Sequence, residues 1–372
     1  MTLEELDRLA KERYFALDLK GALECYAQAF IEFPNLALAY NNYGNILREY
    51  GYPSRAIRFL QTSIDLDPND RVAPLNLALA LLTMGDLRQG WNQFQSRWKY
   101  RNHEHMLEGN PKPIWKGENI IGKTLLVTCE EGDGDNIQFI RYVNMISEMG
   151  INVIIQTEPN LQSLFQSSFK QTVITNKDVA PEHDYWIPIL NLPLALDITY
   201  EKFIVVNNYI TPTLSMIKSW KKILGRKTKP RIAFGWRGHT KSYPREKILE
   251  LVRKHPEYHW ISLQTNLSQE DFDDLNDSGA VHYFEHITEW HDTAGLIANV
   301  DLVIGVDTGL IHLAGSMGAN TVLLLDKYKT CWRWMLDRED SPWYPSIKII
   351  RQKEINGFDE QLQRLEELLP KK

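Results

Sequence analysis

Apolar and small residues in the first hundred positions recur in a fixed register. Ala22, Tyr26, Ala29 and Pro34 are followed thirty-four positions later by Ala56, Leu60, Ser63 and Pro68, and then by Gly90, Phe94, Arg97 and Asn102. In each unit the spacing predicts a first helix, Leu38 to Tyr50 and then Ala73 to Met84, that ends near a glycine turn at Gly51 or Gly85. A second helix follows. Ala22, Ala56 and Gly90 let paired helices approach closely, while Tyr26, Leu60 and Phe94 fill the space between them. Three units fit residues 1–102, the first lacking or degrading part of its opening helix. Residues 103–122 hold Gly109, Pro111, Pro113 and Gly117 without a sustained apolar period, and read as a linker.

From Lys123 the period changes. The run TLLVTC (Thr124 to Cys129) predicts a short buried strand, Asn136 to Met149 has helical spacing, and INVIIQT (Ile151 to Thr157) returns as a strand. After a lysine-rich stretch near Gly225 to Pro230 a second series begins. Its strands are RIAFGW (Arg231 to Trp236), HWISLQ (His259 to Gln264), DLVIGV (Asp301 to Val306) and NTVLLL (Asn320 to Leu325). Helices are expected at Arg245 to Lys254, Thr293 to Asn299 and Leu310 to Met317. Alternation of this kind implies α/β lobes, each a parallel sheet covered on both faces, over residues 123–228 and 229–350. Residues 351–372 close the chain with an amphipathic helix, Glu354 to Leu369.

Composition narrows the class. A chain of 372 residues outgrows a single core. With 43% apolar residues and 11 tryptophans it does not read as disordered. The net charge of −6 carries no basic block on this reading, so nucleic acid is not an expected partner. No apolar run approaches the roughly 20 residues of a membrane span, and the start, MTLEELDRLAKER, is charged rather than signal-like, so the expected location is cytoplasmic. Cys25, Cys129 and Cys331 are too few and too scattered for a disulfide framework or a paired-cysteine metal site.

In open parallel sheets ligands bind beyond the carboxyl ends of strands, which directs attention to three loops. At Val306-Asp307-Thr308-Gly309, Gly309 permits close backbone approach and the following helix start suits a phosphate, with His312 one turn in. Against this, Asp307 or Thr308 would simply cap the helix and His312 would pack in the core. At Glu130-Glu131-Gly132-Asp133-Gly134-Asp135, crowded carboxylates offer a general base, Asp135 being nearest the helix, or else an ordinary helix cap. At Trp236 to Pro244, Arg237, His239 and Lys241 bring positive charge to where a diphosphate would need neutralising, or form a solvated basic loop.

The repeats resemble the tetratricopeptide repeat, whose period is ~34 residues. GDGDNIQFIRY (Gly132 to Tyr142), HWISLQ, DLVIGVDTGLIHLAGSMG and WRWMLDREDSPWYPS (Trp332 to Ser346) resemble glycosyltransferase family 9, the ADP-heptose transferase group of lipopolysaccharide assembly. That resemblance implies a GT-B pair of Rossmann-like lobes behind the repeats, the acceptor in the first and a nucleotide-sugar donor in the second. It implies inverting, metal-independent transfer with no cofactor beyond the nucleotide-diphosphate sugar itself, which is the substrate. Asp135 falls on the family's base, Lys241 on a phosphate-binding lysine, and Thr308, Gly309 and His312 on the donor phosphate site, with Arg237 beside them. Glu131 and Asp307 stand as supporting carboxylates. Gln264 and Ile287 fall where the nucleoside is held. Two departures leave the donor open: HTKSYPRE is shorter than the loop of repeat-linked relatives, and EEGDGD replaces the usual EQGLGD.

Two functions follow. In one the chain transfers a sugar to a saccharide or protein acceptor. In the other the repeats grip a protein partner and the lobes keep only a vestigial nucleotide site. A third role for the repeats, bracing the first lobe through Trp91 and Trp98, requires no partner.

Overall fold

A computed structural model of the chain describes residues 1–101, 110–199, 208–238, 242–265 and 267–371. Two compact units emerge. One gathers Met1–Pro111, Pro193–Phe203 and Asp326–Asp337, and the other Lys112–Leu192, Ile204–Leu325 and Arg338–Lys372.

The first unit is built from helix pairs: α1 (Leu3–Phe15) with α2 (Leu19–Glu32), α3 (Ala37–Glu49) with α4 (Pro53–Leu66), and α5 (Ala73–Thr83) with α6 (Leu87–Phe94). The opening helix is complete, against the expectation of a degraded one. Thr2 and Glu5 form a reciprocal cap, Glu5 N–H donating to Thr2 Oγ1 at 3.2 Å and Thr2 N–H to Glu5 Oε2 at 2.8 Å. The helix is hard to see in the sequence because Leu6 and Ala10 carry its fully buried stripe while most of its other positions are charged. Ala22, Ala56 and Leu60 are fully buried between paired helices, as the thirty-four-residue register predicts. Gly51 and Gly85 adopt left-handed backbone, at φ 88° and 80°, at the turns between paired helices.

The segment Asp326–Asp337, far along the chain, completes this unit. Tyr328 packs on the core of Leu6, Ala10 and Tyr26. Lys329 N–H donates to Glu49 O at the end of α3 (2.9 Å), and its ammonium lies 4.1 Å from the centre of the Tyr14 ring. A cation suits that end of the helix dipole. Trp332 meets Trp91 edge to face at 5.3 Å. Trp98 takes the guanidinium of Arg97 on its ring at 4.5 Å.

The second unit holds two parallel sheets. In the first, β1 (Thr124–Thr128), β2 (Asn152–Thr157), β3 (Thr172–Thr175) and β4 (Tyr185–Pro188) lie in the order β3-β2-β1-β4. In the second, β5 (Arg231–Gly235), β6 (His259–Ser262), β7 (Val281–His282), β8 (Leu302–Gly305), β9 (Thr321–Leu325) and β10 (Ile347–Arg351) lie in the order β10-β9-β8-β5-β6-β7. Register sets Leu125 beside Val153 and Tyr185, and Phe234 beside Ser262 and Ile304. Strands β8 and β9 are buried at every position, as central parallel strands must be.

The helices of this unit are α7 (Asp133–Phe139), α8 (Val143–Glu148), α9 (Pro159–Ser168), α10 (Leu214–Ile223), α11 (Arg245–Lys254), α12 (Gln269–Ser278), α13 (Trp290–Ile297), α14 (Gly309–Ser316) and α15 (Phe358–Glu366). The single helix expected over 136–149 starts earlier and is interrupted by a 3₁₀ turn at Ile140–Tyr142. The break accompanies the burial of Arg141, whose Nε donates to Gln138 O at 2.8 Å. Helix α10 precedes β5 in sequence yet packs on the second sheet's α13, with Trp220 against Gly295. Helix α15 is no separate element, because Leu362 and Leu365 share one core with Phe234, Ile304 and Val322. One further expectation fails on charge. Between Lys218 and Arg231 the chain carries seven of its 42 lysines and arginines and none of its 48 acidic residues, which is a basic block.

Candidate functional site

Strand order reverses between β5 and β8 in the second sheet, and ligands of open parallel sheets bind outside the carboxyl ends at such a point. A cavity of about 610 Å³ opens there, within the usual range for a small-molecule site. Thr308, Gly309 and Leu310 line it after β8, Arg237 after β5, Gln264 after β6, and Ile287 ahead of α13. Trp290 and Asn160 add an indole from α13 and an amide from α9.

The floor is the start of α14. Thr308 occupies the cap position, but its hydroxyl donates to Val306 O at 3.1 Å and makes no capping bond. The positive end of the helix therefore meets the cavity without a Thr308 cap, which suits an anion. The start of α7 comes close to it. A Cβ at Gly134 would stand 3.2 Å from Gly309 Cα and 3.0 Å from the His312 ring, and one at Gly309 would stand 2.8 Å from the Trp290 ring. Gly134 lets the two helix ends meet closely, and Gly309 leaves room for the Trp290 ring.

The acidic loop divides its labour. Asp135 is not the N-cap weighed from sequence: Gly132 holds that position, and Asp135, the third residue of α7, accepts from Gly132 N–H through Oδ2 at 3.2 Å. Asp133 reaches further. Its Oδ2 accepts from Trp290 Nε1 and from Asn160 Nδ2, both at 2.8 Å and both from residues of the cavity wall. Glu131 is exposed, with left-handed backbone at φ 60°, and is not part of that wall.

His312 is buried. Its Nδ1 lies 2.9 Å from the Tyr344 hydroxyl, and its Nε2 lies 4.0 Å from Asp307 Oδ1. The core-packing reading of this histidine is thus correct as to burial, while its ring still borders Gly134 at the meeting of the helices. The guanidinium of Arg141 lies 4.8 Å from the Tyr344 ring centre. It donates to Trp343 O at 3.0 Å and Tyr209 Oη at 3.1 Å, joining the GDGDNIQFIRY and WYPS stretches in one buried network.

The basic loop is only partly described: Lys241 and His239 lie outside the described residues. Arg237 lines the cavity with its guanidinium held by Asp271 at 3.0 Å, and Arg245 holds the other Asp271 oxygen at 2.5 Å. Burial pushes the Asp271 carboxyl up, but the Ser268 N–H and the two guanidiniums outweigh it and hold the group well below the usual carboxylate range. Gln264 lines the cavity, and its amide is engaged by the loop backbone. Its Oε1 accepts from Trp236 N–H (3.1 Å) and Arg237 N–H (2.8 Å), and its Nε2 donates to Arg237 O (3.0 Å) and Thr265 O (3.1 Å). All four bonding capacities of the amide are used, so Gln264 fixes the loop that carries Arg237. Ile287 does line the cavity.

Sequence reasoning missed Asp133, Asn160, Trp290, Arg141 and Tyr344 as parts of this region. Asp133 stood among four neighbouring acids without distinction, and Trp290 began a helix placed three residues too late. Among the described residues no group of three or more His, Cys, Asp or Glu side chains is placed to hold a metal ion. Nor, among them, is any helix long and apolar enough to cross a membrane.

Residues 288–357 match the family described as glycosyltransferase family 9 (heptosyltransferase), a span that includes Trp290, Val306 to His312 and Tyr344. Protein FlbA of Caulobacter vibrioides is 24% identical over 366 residues, covering 89% of this chain, and the chain spans 61% of the length of that relative. The crystal structure of the glycosyl transferase family 9 protein from Veillonella parvula is similar in fold, with 11% identity and a TM-score of 0.52 over 69% of this chain and 92% of that one. The TPR2B domain of yeast Sti1 aligns with 28% of this chain and 87% of its own, at 21% identity and a TM-score of 0.26. The architecture is thus α/β, with tetratricopeptide helix pairs followed by a GT-B pair of Rossmann-like lobes.

Proposed function

We propose that the chain is a glycosyltransferase that moves a sugar from a nucleotide-diphosphate donor to an acceptor hydroxyl, with inversion and without a metal. The observation that carries this reading is the meeting of α7 and α14 at Gly134 and Gly309 beside the cavity. There the positive end of one helix faces the site of a diphosphate, and the carboxylates of the other stand next to it.

In this reaction the Asp135 carboxylate takes the proton of the acceptor hydroxyl, whose oxygen attacks the anomeric carbon as the bond to the β-phosphate oxygen breaks. Attack from the face opposite the leaving group inverts the configuration. The departing nucleoside diphosphate gains negative charge, and the first N–H groups of α14, with Lys241 and Arg237, stabilise it. The Asp271 carboxylate fixes Arg237 in place before the donor arrives, so less ordering is required during the reaction. His312, with Asp307 behind it and Tyr344 fixing its ring, supports the same anion. Ile287 offers an apolar wall to the nucleoside.

The test is direct. Calorimetry of the whole protein with ADP, UDP and GDP, followed by transfer and hydrolysis assays with the matching nucleotide sugars, should find one nucleotide bound in the micromolar range and turned over. If none of the three binds, the donor-site reading is wrong. If one binds but no sugar is released from any donor, the enzyme reading fails and the site is a nucleotide sensor.

A further inference from the structure

Helix α10 starts beside α13, Thr213 N–H donating to His291 Nε2 at 3.1 Å, and the loop after it leads to the amino end of β5, away from the cavity. Lys227 there pairs with Asp301, immediately before β8, and Arg231 opens β5. One face of α10 is buried, Trp220 packing on α13. The other face carries Leu214, Lys218, Lys221 and Lys222, spaced four, three and one apart, so they form one stripe along the helix. Leu214 is 74% exposed, and the three lysines are exposed with it. Arg226, Lys227 and Lys229 continue the charge along the loop, also exposed.

What separates this region from the rest of the surface is a run of six exposed cations of which, among the described residues, Lys227 alone holds a carboxylate. Elsewhere exposed cations either hold a carboxylate, as Lys254 and Lys353 do, or stand singly, as Lys20, Lys170 and Lys348 do. The side chains of Lys218, Lys221, Lys222 and Arg226 form no ion pair or hydrogen bond among the described residues. An unneutralised cluster on a chain of net charge −6 is a local field that attracts an anionic surface. The aromatic in the segment, Trp220, is 1% exposed, so there is no platform on which a nucleic-acid base could stack. The exposed leucine at the head of the lysine stripe matches an interface with an apolar layer beneath anionic groups.

We propose that the α10 stripe and the following loop form a docking surface for an anionic lipid bilayer, with Lys218, Lys221, Lys222 and Arg226 reading headgroup charge and Leu214 entering the interface. The surface holds the protein at a membrane by charge. It does not depend on which reaction the cavity performs.

Co-sedimentation of the whole protein with phosphatidylcholine vesicles, and with vesicles that also contain phosphatidylglycerol, tests this. Binding to the anionic vesicles and not to the neutral ones is expected, declining as salt is raised. The triple variant Lys218→Gln, Lys221→Gln, Lys222→Gln should lose about a hundredfold in vesicle partition, since each lysine near an anionic surface contributes about fivefold. Leu214→Ser should lose less, with an unchanged salt dependence. A second pair, Arg226→Gln with Lys229→Gln, reports on the loop should the triple variant fold poorly. All are expected to keep the nucleotide affinity of the unaltered protein. Equal binding to both vesicle types, no binding to either, or retention of binding in both sets of variants would overturn the proposal. So would preferential capture by single-stranded nucleic acid over anionic vesicles.

Discussion

The indole N–H of Trp290 donates to the carboxylate of Asp133 at 2.8 Å, joining the first turn of α13 on the second sheet to the first turn of α7 on the first. Asn160 donates to the same oxygen, and the Trp290 ring packs over Gly309. Asp133→Ala should therefore release the ring and weaken nucleoside diphosphate binding by about tenfold, the order of one hydrogen bond to a charged group. Asp133→Asn, whose amide oxygen still accepts, should recover most of that. Calorimetry beside tryptophan emission reads both effects, and an unchanged affinity in the alanine variant would mean that packing alone holds Trp290.

Gly309→Ala places a methyl 2.8 Å from the Trp290 ring. Overpacking of this kind costs about 1–3 kcal/mol, and here it also displaces a wall of the cavity. Urea unfolding should show the loss of stability, and nucleotide binding should fall with it. A variant that binds normally would show that the two helix starts have room to separate.

Asp135→Asn separates chemistry from structure. The amide oxygen can still accept from Gly132 N–H, so thermal stability and nucleotide affinity should stay near those of the unaltered protein. Transfer should fall about 10²–10⁴-fold, the usual contribution of a general base. Stopped turnover with retained binding is the signature; loss of stability instead would assign Asp135 to capping alone.

The Asp271 carboxyl, held down by Ser268 N–H, Arg245 and Arg237 against the effect of burial, links stability to pH. A group whose pKa is lower folded than unfolded contributes stability above its unfolded value, near 3.9, and that contribution disappears as pH falls toward the folded value. Denaturant midpoints measured from pH 6 down to 3 should drop for the natural sequence. Asp271→Asn should start about 2 kcal/mol less stable and show a flatter slope over the same range. Parallel slopes would place the acid sensitivity elsewhere.

Removal of the large ring in Trp332→Ala should destabilise the repeat unit by about 3–5 kcal/mol, as for other buried tryptophans. The residue is 4% exposed and meets Trp91 edge to face. Limited proteolysis should then cut first within α5 and α6, and an unchanged digestion pattern would count against this packing.

The repeats and both sheets were legible in the sequence because each rests on a period: thirty-four residues between small-large-small sets, and short apolar runs for strands buried on both faces. The loops after β1, β5 and β8 were legible too, since strand ends and glycines mark them. What each side chain does there was not. Gln264 looked like a nucleoside contact, yet its amide bonds the backbone of Trp236, Arg237 and Thr265, a pairing that exists only once β5 and β6 lie side by side. Asp133 was indistinguishable from Glu131 or Asp135 until α13 brought Trp290 to it. Helix α1 was obscured because charge dominates its exposed face, and the basic block because the chain's overall negative charge conceals it.

The segment Asp326–Asp337, the connection between β9 and β10, touches α1 at Tyr14, α3 at Glu49, and α6 at Trp91. Open solenoids add or lose units freely because each repeat meets only its neighbours. Here a short fixed span of chain has to reach all three pairs at once, so it acts as a ruler. An extra thirty-four residues between α2 and α3 would carry Tyr14 out of reach of Lys329 while Trp91 kept its hold on Trp332. The spacing of the repeats between Tyr14 and Trp91 is therefore tied to the length of a loop encoded more than two hundred positions downstream.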